Sequence, residues 1–221
     1  IDQISQRKNN NKIADMKNIL KFFIPISVMM MLTMFIRPVI QSFIAQNQIT
    51  VKSLAAYGVA WGLVLLIIGP LKMINQVTMV YTTGLHDENW KTVKNFSLVT
   101  GIILTTVIVI VGTTPVGNFI LKKLMGLSTT VAAKAQNTIL AFALYPMVRT
   151  FREIYWGLLM NKQSTSIMGL SKVGNLISII IFLALARQNL LYPPEVIGAI
   201  VFTMGEFIET TIVWKYAVNN L

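Results

Sequence analysis

Residues 22–45 read FFIPISVMMMLTMFIRPVIQSFIA, an apolar run in which Arg37 is the only charged side chain. The run exceeds the roughly 20 residues that an α-helix needs to cross a bilayer. An arginine at bilayer depth costs about 2.5 to 3.5 kcal/mol on insertion scales, so such residues usually face a polar cavity or a partner. The segment therefore predicts a membrane-spanning helix whose one charge borders a polar space.

Five further apolar segments predict, with the first, an all-α integral membrane six-helix bundle. Hydrophobic residues make up 54% of the 221-residue chain and charged residues only 12%, unlike a soluble domain. Prolines inside or near the spans, at positions 25, 38, 70 and 146, remove backbone hydrogen bonds and favour kinks. Residues 115–127 alternate apolar side chains with lysine, which predicts a short amphipathic helix at the interface. The six predicted spans are residues 22–45, 54–83, 93–112, 131–160, 166–186 and 196–216.

Basic residues are unevenly divided between the two ends of the predicted spans. Ten lie on the N-terminal side and five on the other, which predicts both termini in the cytosol. We expect the membrane to be the plasma (inner) membrane. We attribute the formal charge of +11 to this topology and expect no nucleic-acid partner. Residues 1–18 are predicted to be a cytosolic linker and residues 19–221 the bundle; because the chain begins with Ile1, we expect further sequence before it. The ten are Arg7, Lys8, Lys12, Lys17, Lys21, Lys91, Lys94, Lys162, Lys172 and Lys215; the five are Lys52, Lys122, Lys123, Lys134 and Arg187.

Residue types that support catalysis or metal binding are scarce. The chain has no Cys, and its single histidine, His86, lies in a polar loop without further ligands at metal-binding spacing. It has no phosphate-binding glycine loop, and no nucleophile stands beside a base on a membrane helix. We therefore expect no enzyme activity, no metal site and no cofactor.

The strongest group of charges within the predicted spans is Arg149, Arg152 and Glu153. Their spacing of three and four residues places them on one helical face, just after Pro146. Two cations beside one carboxylate predict an anion-binding or gating cluster in a water-filled cleft. An internal network of ion pairs, or charges that reach toward the interface, also fits this pattern.

Further polar residues are predicted to line the same cleft. Arg37 and Gln41 lie one turn apart on the first span, and Lys72 follows the Gly-Pro pair at 69–70. With Arg149 and Arg152 they are our predicted substrate-binding residues. The alternatives are a structural ion pair for Arg37 and a position at the interface for Lys72.

Two carboxylates, Glu206 and Glu209, share a face of the last span. They are predicted, like Glu153, to be counter-charges, in this case for Arg37 or Arg149; one of the two could instead be a site of proton or cation coupling. The sequence leaves this choice open, because burial and a neighbouring arginine have opposite effects on a carboxylate.

Short motifs distributed over most of the chain match a known family. They are residues 19–25 (ILKFFIP), 36–40 (IRPVI), 54–60 (LAAYGVA), 69–70 (GP), 145–149 (YPMVR), Arg152, 157–160 (GLLM) and 208–211 (IETT). In these motifs the chain resembles the progressive ankylosis (ANKH-type) transporters. That family is similar in turn to the multidrug and toxic compound extrusion (MATE) carriers and the wider flippase superfamily.

The resemblance implies one half of a MATE-like twelve-helix transporter, with the C-terminal six-helix bundle in this chain. Its implied partners are the bilayer, a small anionic substrate, and an N-terminal six-helix bundle or a second copy of the chain. It implies secondary transport by alternating access, namely efflux of organic or phosphate-bearing anions. The alternatives are a proton- or sodium-coupled antiporter of cationic drugs, a lipid flippase, and a membrane scaffold that transports nothing.

Overall fold

The computed structural model describes residues 16–46, 50–188 and 192–220, and every regular element in these ranges is helical. The α-helices are α1 Met16–Ala45, α2 Thr50–Ile67, α3 Ile74–Tyr81, α4 Trp90–Thr113, α5 Pro115–Phe119, α6 Thr129–Ala141, α7 Tyr145–Asn161, α8 Thr165–Gln188 and α9 Pro194–Asn220. Four of them, α1, α4, α8 and α9, are long and apolar enough to cross a membrane. This confirms the prediction of an all-helical integral membrane protein. Helix α1 begins inside the predicted linker, whose residues 1–15 lie outside the described residues.

The second predicted span, residues 54–83, is bent rather than continuous. A 3-10 turn, Gly69–Met73, separates α2 from α3, and the helix axis bends by 52° between the two arms. Pro70 lies at the start of this turn and has no backbone N–H to continue the α-helical ladder. The kink predicted from this proline is therefore confirmed, and the bent pair counts as a fifth possible span.

The fourth predicted span, residues 131–160, is wrong as a single helix. Helix α6 ends at Ala141 and α7 begins at Tyr145, so the 13 residues of α6 and the 17 of α7 both fall short of the roughly 20 residues of a typical crossing. Pro146 occupies the first turn of α7, where its missing N–H is tolerated, and so it begins a new helix instead of kinking an old one. The break places the charged residues of α7 on a short helix inside the bundle.

The predicted interfacial helix at 115–127 is helical but irregular. Helix α5 is followed by a single π-helical turn, Ile120–Leu124, and Gly126 adopts a positive φ of 66° just after it. The side chain of Gln136 on α6 donates to the carbonyl of Thr114 over 2.9 Å and accepts from Asn118 over 2.8 Å. These bonds attach the segment to α6; its depth in the membrane stays a prediction.

Helices α7 and α9 form the centre of the bundle. Helix α7 packs against α3, α4 and α9, while α9 also contacts α1, α2, α6 and α8. Glycines allow close approach where α7 meets α3 and α9 meets α8: a Cβ on Gly157 would lie 2.5 Å from the Asn75 carbonyl oxygen, and one on Gly205 would lie 2.6 Å from Asn175. A Cβ on Gly58 or Gly62 of α2 would meet nothing within 4 Å among the described residues, so these two glycines mark no close approach of helices.

Helix α1 lies at the outside of the bundle. Only 17% of its span is buried, against 61% for α9. Its exposed side chains include Met30, Met31, Met34 and Phe35, which are compatible with lipid or with another apolar helix. The inward edge of α1 contacts α8, so one side of this helix borders the charged interior described next.

Candidate functional site

Three helices bring six charged side chains together in the centre of the bundle. Arg149, Arg152 and Glu153 come from α7, and their helical spacing places them on one face, as predicted. The other three are Lys172 on α8 and Glu206 and Glu209 on α9. Three cations therefore meet three carboxylates, and we call this group the central cluster.

Arg152 is the hub of the central cluster. Its Nη1 donates to Oε2 of Glu206, and its Nη2 donates to Oε1 of Glu153 over 3.2 Å. Nη1 also lies 3.6 Å from Oε2 of Glu209. The guanidinium group is only 2% exposed and stacks over the Trp156 ring, 4.5 Å from its centroid. Such a cation–π contact adds to the attraction of the carboxylates.

Lys172 joins the two carboxylates of α9 from the opposite side. Its Nζ lies 2.6 Å from Oε2 of Glu209 and 3.2 Å from Oε1 of Glu206. Asn175, one turn along α8, donates from Nδ2 to both carboxylates, over 2.6 Å to Glu209 and 3.0 Å to Glu206. Lys172 is 1% exposed, and Glu209 is fully buried. Charges this deeply buried are tolerated only when partners and hydrogen bonds satisfy them.

Arg149 lies at the edge of the central cluster. Its Nε lies 2.6 Å from Oε1 of Glu153, and its Nη1 donates to the Tyr145 hydroxyl over 3.3 Å. The nearest oxygen of Glu206 is 4.0 Å away. The side chain is 16% exposed, compared with 2% for Arg152. Arg149 is therefore the cation of the cluster that a solute reaches most readily.

A cavity of about 430 Å³ borders the central cluster. Arg149, Arg152, Glu153 and Lys172 form its charged wall, and Lys72, from the 3-10 turn between α2 and α3, adds a further cation. Among the residues that the structure describes, no carboxylate lies within ion-pairing distance of Lys72. Met30, Thr33 and Met34 of α1 and Asn75 of α3 are further lining residues.

The cavity wall also holds hydrogen-bond donors that have no partner. Nε of Arg152 and Nε1 of Trp156 are buried and donate to no acceptor in the described part of the chain. Asn75 is already engaged, since its Nδ2 donates to Oε2 of Glu153 over 2.9 Å. Two acceptors of the central cluster behind this wall, Oδ1 of Asn175 and Oε1 of Glu209, are also buried without a hydrogen-bond partner in the described residues, so the unpartnered atoms do not by themselves select the charge of a solute.

The structure brings together six of the eight residues predicted for the site. Arg149, Arg152, Glu153, Glu206 and Glu209 form the cluster, and Lys72 lines the same cavity. The predicted partners of the α9 carboxylates were incomplete: Glu206 pairs chiefly with Arg152 and Lys172, and Arg37 takes no part.

Arg37 and Gln41 lie outside the cavity wall. Arg37 is exposed on α1, one turn after Thr33, and it has no ion pair in the described ranges. It interacts electrostatically with the buried hydroxyl of Tyr57 on α2. Gln41 is half-buried one turn further along α1. Both residues therefore extend the α1 face that begins at the cavity, without joining the central cluster.

Sequence reasoning missed Lys172, Asn175 and Asn75. Lys172 was counted among the cytosolic lysines, but it is buried in the cluster, which leaves nine such residues instead of ten. A signal existed: Ser171, Lys172 and Asn175 are polar residues at helical spacing inside an otherwise apolar predicted span. The role of Asn75 depends on the bend between α2 and α3, which places its amide beside Glu153.

A second ion pair, with a buried carboxylate and a half-buried lysine, lies elsewhere in the bundle. Nζ of Lys134 on α6 lies 2.6 Å from Oε1 of Glu195 at the start of α9, and it also donates to the Ser53 hydroxyl over 3.3 Å. Glu195 is separated from Glu206 by eleven residues of helix, about 16 Å at 1.5 Å per residue. This pair is therefore separate from the cavity and connects α6 and α9 with α2.

The loop that carries His86 holds no metal site in the described residues. Asp87 instead organises the turn before α4, because its carboxylate accepts from the backbone N–H groups of Asn89 and Thr83, each over 2.8 Å, and from the Thr83 hydroxyl. These bonds, with the Asn89 N–H as the largest contribution, lower the pKa of Asp87. The polar loop around His86 is thus a turn ordered by hydrogen bonds to Asp87.

Comparison with known proteins gives one clear result. The family model described as Progressive ankylosis protein (ANKH) matches residues 8–220, nearly the whole chain. No solved structure matches the chain.

Proposed function

The chain belongs to the progressive ankylosis protein (ANKH) family, and on this basis we propose that it transports organic or phosphate-bearing anions across the membrane through the cavity beside α7. The match covers the helices that build the central cluster and the cavity. The residues to which we assign the substrate and its route therefore all lie within the matched region.

The observation that carries the proposal is the charge balance of the cavity and the cluster behind it. Four cations, Lys72, Arg149, Arg152 and Lys172, face the cavity, and three carboxylates balance all but one of them. The surplus charge is Lys72, which has no carboxylate partner among the described residues. Lys72 is exposed, and an unpaired positive charge that lines a cleft attracts anionic solutes.

We assign different roles to the cations. Arg152 and Lys172 are held by Glu206 and Glu209, so their task is to keep the cluster neutral and rigid. Arg149 and Lys72 contact the substrate, because Arg149 has one close carboxylate and Lys72 has none. A phosphate or carboxylate group would replace part of the Arg149–Glu153 contact with a bidentate pair.

The movement that the proposal requires is the rocking of this bundle against a second one. The bend of 52° between α2 and α3 places Lys72 beside the cavity, and broken helices of this kind build substrate sites in secondary transporters. We propose that a further six-helix bundle, or a second copy of the chain, covers the exposed face of α1. Arg37 would then lie along the substrate path, with both termini in the cytosol.

Uptake by proteoliposomes tests the proposal. We expect the full-length protein to accumulate radiolabelled pyrophosphate, and Arg149→Gln and Lys72→Gln to lower its uptake about tenfold or more, as expected for loss of one charge-assisted contact. Lys123→Gln is a matched control, because it removes one exposed lysine remote from the cavity in sequence. Unchanged uptake in Arg149→Gln, with normal insertion into the membrane, would refute the assigned role.

Coupling of transport to protons is a second candidate mechanism, and one observation at Glu209 favours it. Oε1 of this carboxylate is buried and has no hydrogen-bond partner in the described part of the chain. If Glu209 couples transport to protons, Glu209→Gln should abolish acceleration by a pH gradient. Acid-driven efflux of a cationic dye, lost in the same variant, would favour the drug-antiport alternative over anion transport.

A further inference from the structure

A second groove lies on the face of α7 that points away from the central cluster. Helix α7 forms its floor and α4 and α9 its walls, and the groove has a volume of about 570 Å³. Phe151 and Tyr155 of α7 and Phe207 and Trp214 of α9 line it, and Lys94 of α4 lies at its edge. Positions 147, 148, 151 and 155 of α7 line the groove, whereas positions 149, 152, 153 and 156 line the cavity. At 3.6 residues per turn, these two sets lie on different sides of the helix.

The groove has a basic, amphipathic end and becomes apolar toward the middle of the bundle. Lys94 lies in the second turn of α4, Tyr155 in the last two turns of α7 and Trp214 in the last two turns of α9, so all three belong to the same end of the bundle. Amphipathic aromatic rings of this kind concentrate at the membrane interface. The groove continues toward the middle of the bundle as an apolar channel past Phe207, about 10 Å from Trp214 at 1.5 Å per residue.

The two threonines of the groove are satisfied within α9, whereas Lys94 is unpaired among the described residues. The hydroxyls of Thr210 and Thr211 donate to carbonyls one turn earlier on α9. Lys94 is half-buried and has no ion pair within residues 16–46, 50–188 and 192–220. Lys91, three residues earlier and exposed, shares its face of α4. The groove thus combines an apolar, aromatic interior with an unpaired positive charge at its interfacial end.

We propose that this groove binds one acyl chain of an anionic phospholipid, with the headgroup phosphate at Lys94. An apolar channel beneath a basic residue complements such a lipid, and basic pockets between membrane helices bind anionic headgroups. A zwitterionic lipid offers the same chain but no net charge to Lys94. The site is independent of the proposed transport, because it shares no residue with the cavity.

Quenching of Trp214 by brominated lipids tests the site. The full-length protein is placed in nanodiscs of phosphatidylcholine, and phosphatidylglycerol with brominated chains is titrated in. Subtracting the signal of Trp214→Phe isolates the response of Trp214. We expect half-saturation at a lower mole fraction for brominated phosphatidylglycerol than for brominated phosphatidylcholine. Lys94→Gln should raise that mole fraction about fivefold, the effect of one basic residue near an anionic membrane.

Lys123→Gln is again the matched control, and it should leave the titration unchanged. Equal half-saturation for the two brominated lipids would overturn the proposal, because the groove would then take any chain. An identical curve for Lys94→Gln and Lys123→Gln would overturn the role of Lys94. Failure of both lipids to quench Trp214 would overturn lipid occupancy altogether and indicate that protein covers the groove.

Discussion

Replacement of Glu206 by Gln is the most informative change to the central cluster. Glu206 accepts from Arg152, from Lys172 over 3.2 Å and from Asn175 over 3.0 Å, and it is 2% exposed. Glutamine keeps the size of the side chain and removes only its charge. Three cations then share two carboxylates, Glu153 and Glu209, in a region that water scarcely reaches.

The expected loss follows from the burial of the cluster. Removing one member of a buried ion pair typically costs about 3 to 5 kcal/mol, because the remaining partner stays buried without compensation. A loss of this size is a large share of the about 5 to 15 kcal/mol that stabilises a typical folded protein. Lys172→Met should also destabilise, because it leaves a surplus carboxylate. The double variant restores the balance of charge, so it should be more stable than the two single losses predict when added.

Unfolding by sodium dodecyl sulfate in mixed micelles measures these free energies. We expect a coupling of about 1 to 3 kcal/mol between positions 206 and 172, within the range for residues in direct contact. Glu88→Gln, an exposed change outside the cluster, is the control and should stay within about 0.5 kcal/mol of the parent. Glu206→Gln within the same margin, or purely additive losses, would refute the argument that these charges depend on each other.

Three further outcomes follow from other parts of the structure. Gly157→Val should separate α7 from α3, because its Cβ would lie 2.5 Å from the Asn75 carbonyl oxygen; a lower thermal midpoint than for Gly62→Val, where nothing lies within 4 Å, checks this. Glu195→Gln should destabilise the bundle by about 1 to 3 kcal/mol in the same micelle assay, since it leaves the half-buried Lys134 unpaired, but transport rates per folded molecule should not change. The Asn89 amide should be protected from hydrogen exchange at pH values above the ordinary pKa of aspartate, and it should lose this protection as the pH falls through the lowered pKa of Asp87. Hydrogen exchange of that amide measures the effect, and Asp87→Asn should remove the pH dependence.

Much of the fold follows from the sequence because long apolar runs have few alternatives to a membrane helix. Residues 22–45, 93–112, 166–186 and 196–216 lie within α1, α4, α8 and α9, as predicted. The failure at residues 131–160 has a physical reason. Helix α7 has Pro146 in its first turn and carries charges at 149, 152 and 153. Such a helix is stable only in the protein interior, where α8 and α9 provide charged partners.

The site was predicted only where its residues are neighbours on one helix. Arg149, Arg152 and Glu153 share a face by spacing alone, so the sequence is sufficient to group them. Two of the three carboxylates near Arg152 lie on α9, and the nearer one, Glu206, is 54 residues away in sequence; Lys172 reaches the same carboxylate from α8. Such pairings depend on how the helices pack. Lys172 was missed because a lysine near the end of an apolar run is assigned by hydropathy to the adjoining loop.

The central claim is that one surplus cation makes this cavity a site for anions. Binding of pyrophosphate to the purified full-length protein tests it, with Glu153→Gln to increase the positive charge of the cavity and Lys72→Gln to decrease it. We predict that affinity follows this charge: Glu153→Gln binds more tightly than the parent, and Lys72→Gln more weakly. Equal affinities, or no binding by any of the three, would contradict the claim and favour a cluster that only holds the helices together.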